Sequence, residues 1–594
     1  MAWRDGGVAR FDDAQAGTSW QFGPPQELII ATGIDEVAGA LSRVEQASAA
    51  GRWCVGMVSY DASPAFDSSL SVIPADPDGP PLVWFAVCDD PEVDQGPPDA
   101  EAAYRIGPWR WEWTREDHDQ RVASTQRAIA AGDTYQCNLT TRVRAAFDGD
   151  AEALYADLIT QQAASHHVWL DLGRFAVISA SPESFLTWHD DTVTCRPMKG
   201  TAERGATVEA DREQRLHLLD SAKDRAENLM IVDLIRNDLS RVAIPGTVAV
   251  RELFTTEAYP TVWQLTSTVT AQVPARTTLT DLFSALFPCG SITGAPKSRT
   301  TELITALESS PRGPYCGAIG WVAPNHHRTR ARFSVAIRTA VLDRNAEVIT
   351  YGTGGGITWD SRSAAEWNEL RAKTRVLDRA GDWQLLETLR CRDERPQHLD
   401  DHLDRLMASA AHFGIPVDRG AIAAQVERAC TGVTDARIRL VVGRSGAPSV
   451  QVIPGPIDTG PVVLALDHLR VDSTSEWLHH KTTRRDVYES ALSRHPEADD
   501  VVLINEHGRV TETCTATLAV RLDGQWWTPP LSDGCLPGVD RQRQLRAGTL
   551  QERPMSVAQV RQAEDLAVLN SLRGWRPARL EADPNGRKAI APIH

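Results

Sequence analysis

Glu366, Glu369 and Lys373 stand three and four residues apart, so a helix through them presents all three on one face. Two carboxylates beside an ammonium suit a magnesium ion with a neighbouring cation for a substrate carboxylate, because magnesium takes hard oxygen ligands and keeps room for substrate oxygens. The plainer reading is a surface ion pair between Glu369 and Lys373. Another carboxylate, Glu227, heads a helical stripe of Ile231, Leu234, Ile235 and Leu239. A carboxylate on an inward face needs a proton, a cation or a metal. The plainer reading makes Glu227 an acid near a helix N-terminus, favoured by the dipole.

Two glycine-rich stretches could hold anions on free backbone N–H groups. They are Tyr351-Gly352-Thr353-Gly354-Gly355-Gly356-Ile357 and Gly290-Ser291-Ile292-Thr293-Gly294-Ala295-Pro296-Lys297-Ser298. Neither is a nucleotide motif. The first fails G-x-G-x-x-G, and in the second the lysine does not follow the second glycine. Cys535 sits between glycines but lacks the strand-turn-helix surroundings of a nucleophile elbow. A lone lysine such as Lys481 is usually solvated.

These residues need elements to position them. Residues 64 to 100 are rich in Pro and Asp and read as strands between loops. Residues 115 to 131 and 211 to 243 read as helices, and Leu279 to Phe287 as a helix closed by Pro288. Residues 331 to 357 alternate like strands, and Ala364 to Arg379 reads as a helix. Ala380-Gly381-Asp382 breaks the pattern and a fresh strand starts at Trp383, which predicts modules of residues 1–379 and 380–594. The chain has 594 residues, with 62 Lys plus Arg against 79 Asp plus Glu and a net charge of −17. That balance argues against nucleic acid as a main partner, since phosphate binding needs a basic footprint. The ten cysteines include no C-x-x-C pair and read as buried thiols of a reducing compartment. The paired histidines at His166, His326 and His479 read as surface or loop residues. No secretory signal or membrane-spanning run is visible, so the cytoplasm is the expected location, with no membrane partner.

Several segments in the first module resemble the chorismate-utilising enzymes. They are Gly132-Asp133-Thr134-Tyr135-Gln136-Cys137-Asn138-Leu139, Ser181-Pro182-Glu183, Arg196-Pro197-Met198-Lys199-Gly200-Thr201, Glu227 to Arg241, Ser291 to Lys297, and Tyr351 to Ile357. The resemblance covers roughly residues 10 to 377. It implies an α+β fold of two packed antiparallel-rich sheets flanked by helices, with chorismate as substrate. It implies Lys199 as nucleophile on the chorismate ring, as in aminodeoxychorismate synthases, where anthranilate synthases carry a small residue. An attacking amine needs a depressed pKa. Gln136 stands where water-adding relatives carry a lysine, which favours ammonia. Glu183 is the implied general acid and base, with a raised pKa. Glu227 and Glu369, with Glu366 close by, are the implied magnesium ligands. Gly200, Thr201, Tyr315, Arg338, Gly354, Gly355 and Lys373 are implied substrate contacts. Gln264 replaces the histidine that helps anthranilate synthases eliminate pyruvate. No glutamine-hydrolysing domain is visible, so ammonia is expected from a separate glutamine amidotransferase subunit or from solution.

The second module resembles fold-type IV pyridoxal-phosphate enzymes over residues 383 to about 575. The signs are Leu385-Leu386-Glu387-Thr388-Leu389-Arg390, Leu399 to Leu406, His479 to Tyr488, Val510 to Leu518, and Leu536 to Arg541. The resemblance implies that Lys481 attaches the cofactor and shuttles protons, that Glu512 pairs with the pyridine nitrogen, and that Arg405 and the Gly538-Val539 backbone bind its phosphate. Thr517 replaces a more usual Asn, and the family's N-terminal hairpin is missing or supplied by the first module. A homodimer through this module is also implied. Lys481 and Glu512 serve lyases and aminotransferases alike, so three readings stand: an aminodeoxychorismate lyase, an aminotransferase, or a degenerate dimerisation domain. The fusion context favours the lyase, giving 4-aminobenzoate overall.

Overall fold

The computed structural model describes residues 8–14, 16–94, 104–162, 165–203, 208–258, 262–378, 383–455 and 457–581. The chain divides into two compact units, Met1–Asp382 and Trp383–His594. The break expected at 380 to 382 lies outside the described residues.

The first unit rests on two antiparallel sheets. The eleven-stranded sheet runs from Gly294–Ala295 through Gln136–Gly149, Val348–Ile357, Thr339–Asp343, Phe175–Ser181 and His166–Asp171 to three N-terminal strands. The ten-stranded sheet runs from Met198–Glu203 through Val262–Gln272, Thr192–Arg196, Ser184–His189, Thr329–Val335 and Ala318–Val322 to Trp53–Val58 and its neighbours. Period-2 alternation explains how the layers stack. In Trp53–Val58, Trp53, Val55 and Met57 join Val168, Leu170 and Val177 of the other sheet in a shared core. Cys54 and Val58 face the opposite way, toward helices Val37–Ala49, Ala222–Ser240 and Leu279–Leu286. Helices Ala151–Gln162 and Ser363–Asp378 cover the far face of the eleven-stranded sheet. The layers are therefore helix, sheet, sheet, helix.

Three expectations need correction. The stretch 211–243 is two helices, Val208–Asp220 and Ala222–Ser240, because Ser221 is extended and its hydroxyl caps Asp224 N–H. The inward stripe of the second helix holds Asn228, Ile231, Val232, Ile235, Asp238 and Leu239, with Leu234 only half-buried. The paired histidines are not all at the surface. His167 is 1% exposed within strand His166–Asp171, and burial pushes its pKa down to about 4. All ten cysteines are buried free thiols.

The second unit has a four-stranded antiparallel sheet in the order Arg395–Pro396, Leu385–Arg392, Asp435–Val442, Pro448–Pro454. Helices Leu399–Phe413 and Arg419–Cys430 seal one face with Leu403, Leu406, Ile422 and Val426. A mixed eight-stranded sheet follows, with Val462–Val471 parallel to both its neighbours. Among the described residues no helix is long and apolar enough to cross a membrane.

Candidate functional site

The first candidate site lies where the two sheets of the first unit exchange strands. Glu183 stands between Phe175–Ser181 of one sheet and Ser184–His189 of the other. Arg338 occupies the reverse passage, between Thr329–Val335 and Thr339–Asp343, with a left-handed φ of 50°. Val335 N–H donates to Glu183 O at 3.1 Å and Ala180 N–H to Arg338 O at 3.1 Å, so the two passages brace each other.

Lys199 and Gln136 meet over Gly356. A Cβ on Gly356 would overlap Gln136 Nε2 and stand 3.4 Å from Lys199 Nζ, so the absent side chain is what lets both polar groups approach. Gln136 is 1% exposed, and its Oε1 has no hydrogen-bond partner among the described residues. Glu183 is also buried, and its Oε1 lacks a partner among the described residues. Burial pushes the Glu183 carboxyl up to about 7, against the opposing pull of Ser291, Lys199 and Lys373. Two orphan acceptors thus belong to side chains in the neighbourhood of one amine. Buried acceptors of this kind call for donors.

Gly200 has φ 97°, and a Cβ there would stand 2.9 Å from the Asp224 side chain. Thr201 hydroxyl donates to Gln264 Oε1 at 3.1 Å. Lys373 Nζ donates to Gly354 O at 2.7 Å and pairs with Glu369 at 2.8 Å. Arg338 lies close enough to Tyr351 to oppose the rise that burial imposes on its hydroxyl. The Tyr315 ring packs on Gly352, with the Arg142 guanidinium 5.1 Å from its centroid.

Glu227, Glu366 and Glu369 share one electrostatic neighbourhood. Burial raises the Glu227 and Glu366 carboxyls, and each feels the next acid in the series. Lys373 lowers Glu369. Glu227 is half-buried, Glu366 buried and Glu369 exposed, and acids that repel one another fit a divalent cation chemically. They do not form a closed ligand cluster, and Glu366 stands 3.4 Å from where a Gly355 Cβ would be. Among the described residues, the three ligand atoms that do lie within 4.8 Å of one another belong to Asp467, His468 and His495 of the second unit. There Arg494 Nε already donates to Asp467 at 3.1 Å, so a guanidinium fills the cation's place.

The second candidate site is a cavity of about 290 Å³ in the second unit. It brings together Arg405, Lys481, Glu512, Gly538 and Val539. Lys481 is fixed through its backbone: Leu386 N–H donates to Lys481 O at 2.9 Å. Burial, then the Arg405 and Arg485 charges, lower its amine to about 8, with Glu387 and Glu512 pulling the other way. Burial pushes Glu512 up to about 7, while Tyr488 hydroxyl at 2.8 Å and Leu536 N–H at 3.2 Å hold its two oxygens. Thr517 hydroxyl lies 2.9 Å from where a Gly538 Cβ would be, so a residue without a side chain fits beside it at the start of helix Val539–Arg546. A reactive amine, a carboxyl and a guanidinium beside an N-terminal helix turn suit pyridoxal phosphate.

Sequence reasoning missed the rest of this lining. Strand Asp435–Val442 turns Ala436, Ile438, Leu440 and Val442 inward. Arg437 and Arg439 therefore share the other face, and both line the cavity with Arg573. None of these three guanidiniums pairs with a carboxylate among the described residues. The alternation in Asp435-Ala436-Arg437-Ile438-Arg439-Leu440 was the available signal. Also missed was Asp238, buried and paired with Lys297 at 2.7 Å.

Residues 11–379 match the family model for chorismate binding enzymes, and residues 384–580 match that for class IV amino-transferases. Aminodeoxychorismate synthase component 1 of Escherichia coli (strain K12) is 41% identical over 261 residues, 44% of this chain and 56% of that protein. Anthranilate synthase component 1 of Pseudomonas putida is 38% identical over 285 residues, 48% of this chain and 56% of that protein. The chain spans about half the length of the curated relatives it matches. The crystal structure of anthranilate synthase component I from Streptococcus pneumoniae TIGR4 has the same fold as the first unit. It aligns with a TM-score of 0.54 at 24% identity, covering 61% of this chain and 92% of that one.

Proposed function

Because the chain belongs to the chorismate binding enzyme family, we propose that it makes 4-aminobenzoate in two steps, one in each unit. Chorismate and ammonia give 4-amino-4-deoxychorismate and water in the first. That product gives 4-aminobenzoate and pyruvate in the second. The observation that carries the reading is Lys199 beside Gln136 and Glu183, each of these two with a buried acceptor that has no partner among the described residues.

Lys199 Nζ adds to the ring as the ring hydroxyl leaves with the proton of Glu183. A carboxyl raised to about 7 leaves a share of the molecules with that proton at neutral pH, where an ordinary carboxylate would have lost it. Gln136 Oε1 accepts from the incoming ammonia, which displaces the lysine. Glu227, Glu366 and Glu369 would hold a magnesium ion, whose charge offsets theirs and fixes a substrate carboxylate. Gly200, Thr201, Tyr315, Arg338, Gly354, Gly355 and Lys373 surround the substrate. Gln264, beside Thr201, offers no acid or base for pyruvate loss, which fits a first unit that stops at the amino compound. The ammonia comes from a glutamine amidotransferase subunit or from solution.

In the second unit, pyridoxal phosphate supplies an electron sink when bound. Arg405 and the N–H groups at the start of helix Val539–Arg546 would hold its phosphate, and Glu512 would pair with its ring nitrogen. Lys481 would hold it and move the proton at Nζ. Arg437, Arg439 and Arg573 favour a substrate carrying more than one carboxylate. An aminotransferase for an apolar amino acid would leave those charges without partners. We assign the domains as residues 1–379 and 380–594, the cytoplasm as the site of action, and the second unit as the route to a homodimer.

Incubation of the full chain with chorismate, ammonia, magnesium and pyridoxal phosphate tests the proposal by product identification. Wild type should yield 4-aminobenzoate. Lys199→Ala should consume no chorismate, and Lys481→Ala should accumulate the amino intermediate. Amino transfer to an added 2-oxo acid, with no pyruvate released from the intermediate, would overturn the lyase assignment.

A further inference from the structure

Strand Leu385–Arg392 places a carboxylate where its pattern demands an apolar residue. Leu385, Leu389 and Cys391 are fully buried on the face that meets helix Leu399–Phe413, and Glu387, 1% exposed, stands in the same row. Burying a charge is costly unless it is paired and hydrogen-bonded. Glu387 is both. Its Oε1 accepts from Arg405 Nε at 2.8 Å, and its Oε2 accepts from Arg405 Nη2 at 2.6 Å and from His402 Nδ1 at 2.6 Å. His402 lies one helical turn before Arg405 and is itself 1% exposed.

This arrangement decides which edge of the guanidinium is left over. A guanidinium carries five N–H groups in a fixed plane. Glu387 takes the edge formed by Nε and Nη2. The opposite edge, Nη1 with the second Nη2 hydrogen, turns toward the Pro537 turn, where Nη1 is 3.3 Å from Pro537 O. The next residues open helix Val539–Arg546, whose first N–H groups have no partner within the helix. Arg405 and the residues at the start of that helix, Gly538 and Val539, line the same cavity.

We infer that Glu387 and His402 are positioning residues that hold Arg405 edge-on to the phosphate of the cofactor. The inference rests on reading the second unit as a pyridoxal-phosphate site. His402 occupies the remaining lone pair of Glu387 Oε2, which stops the carboxylate from turning and carrying Arg405 with it. Position and charge make opposite demands here. If charge alone mattered, removing the Glu387 anion would strengthen phosphate binding. If position matters, it weakens it.

The test is a titration of the cofactor-free full chain, followed by cofactor absorbance, with pyridoxal 5′-phosphate and with pyridoxal, which lacks the phosphate. Glu387→Gln should raise the Kd for the phosphorylated compound by about tenfold or more, the scale of a charge-assisted hydrogen bond. The Kd for pyridoxal should change less than about twofold, within the error of an untouched site. His402→Gln should show the same selectivity with a smaller loss. In an Arg405→Ala background, Glu387→Gln should cost nothing more. Equal weakening of both compounds would make the role merely structural, and tighter phosphate binding would make it merely electrostatic; either overturns the inference. No absorbance change in wild type with either compound would instead remove the cofactor site itself, and the inference with it.

Discussion

The two lysines proposed to react sit in pockets of opposite lining. Lys199 has acids around it: Glu183, Glu227 and Glu369 all feel its charge. Lys481 has guanidiniums around it, and Arg405 and Arg485 help burial to lower its amine to about 8. One side chain serves two chemistries because the lining decides what else the pocket must contain. The acid-lined pocket calls for a cation beside its substrate. The arginine-lined pocket calls for anions, namely a phosphate and a polycarboxylate. A net charge of −17 for the whole chain gives no hint of this local division.

Chelation should break the symmetry most completely. With EDTA present, chorismate consumption should stop, while pyruvate release from supplied 4-amino-4-deoxychorismate should continue at the untreated rate. Equal inhibition of both steps would contradict the contrast. The next largest effect belongs to Glu183→Gln, which keeps the shape and removes the proton. Chorismate turnover should fall by roughly 10²- to 10⁴-fold, the range for loss of a general acid. Chorismate binding, followed by calorimetry, should survive, and the second step should be untouched.

Arg437→Ala and Arg439→Ala should act on the other pocket. Each should raise the KM for the amino intermediate by roughly ten- to a hundredfold, as the loss of a charge-assisted hydrogen bond would. Cofactor absorbance should stay unchanged, because the proposal gives the phosphate to Arg405 and not to these residues. A KM that does not move would mean these arginines face solvent for another reason.

The parts of these pockets carried by sequence-local patterns were legible. Glu366, Glu369 and Lys373 share a helix face because their spacing requires it, whereas the glycines at 354 to 356 read only as anion-holding backbone, and the close approach of Gln136 and Lys199 over Gly356 came from the fold. Ser221 was also legible in principle, since Ser221-Ala222-Lys223-Asp224 is a helix-start pattern within an otherwise continuous helical stretch. Glu387 was not. Its partners lie 15 and 18 residues away on another element, and only the folded register brings them within 2.6–2.8 Å. The same holds for Asp238 and Lys297, which belong to helices far apart in the chain. Local periodicity reveals which face a residue occupies. It does not reveal what another element places opposite.

The mildest perturbation is pH, and it sharpens the contrast between the pockets. Lys481 must lose its proton before its amine can attack an aldehyde. With its amine near 8, the rate of cofactor attachment should rise about tenfold per pH unit below that point and level off above it. An ordinary lysine would still be climbing at pH 10. Linkage has the matching sign: a lysine lowered by folding is protonated more readily in the unfolded chain, so its contribution makes the protein more stable as pH rises from about 8 toward 10.5. Glu183 runs the other way. Its carboxyl is raised, so the folded chain holds that proton more tightly, and its contribution to stability is lost as pH rises from 4.5 through about 7. Chorismate turnover should decline above about 7 for the same reason. Arg485→Gln separates burial from charge: the attachment midpoint should move upward, because one of the cations that lower Lys481 is gone while the cavity keeps its shape. A midpoint unmoved by that change would leave the lowered amine to burial and Arg405, with no part for Arg485 in tuning it.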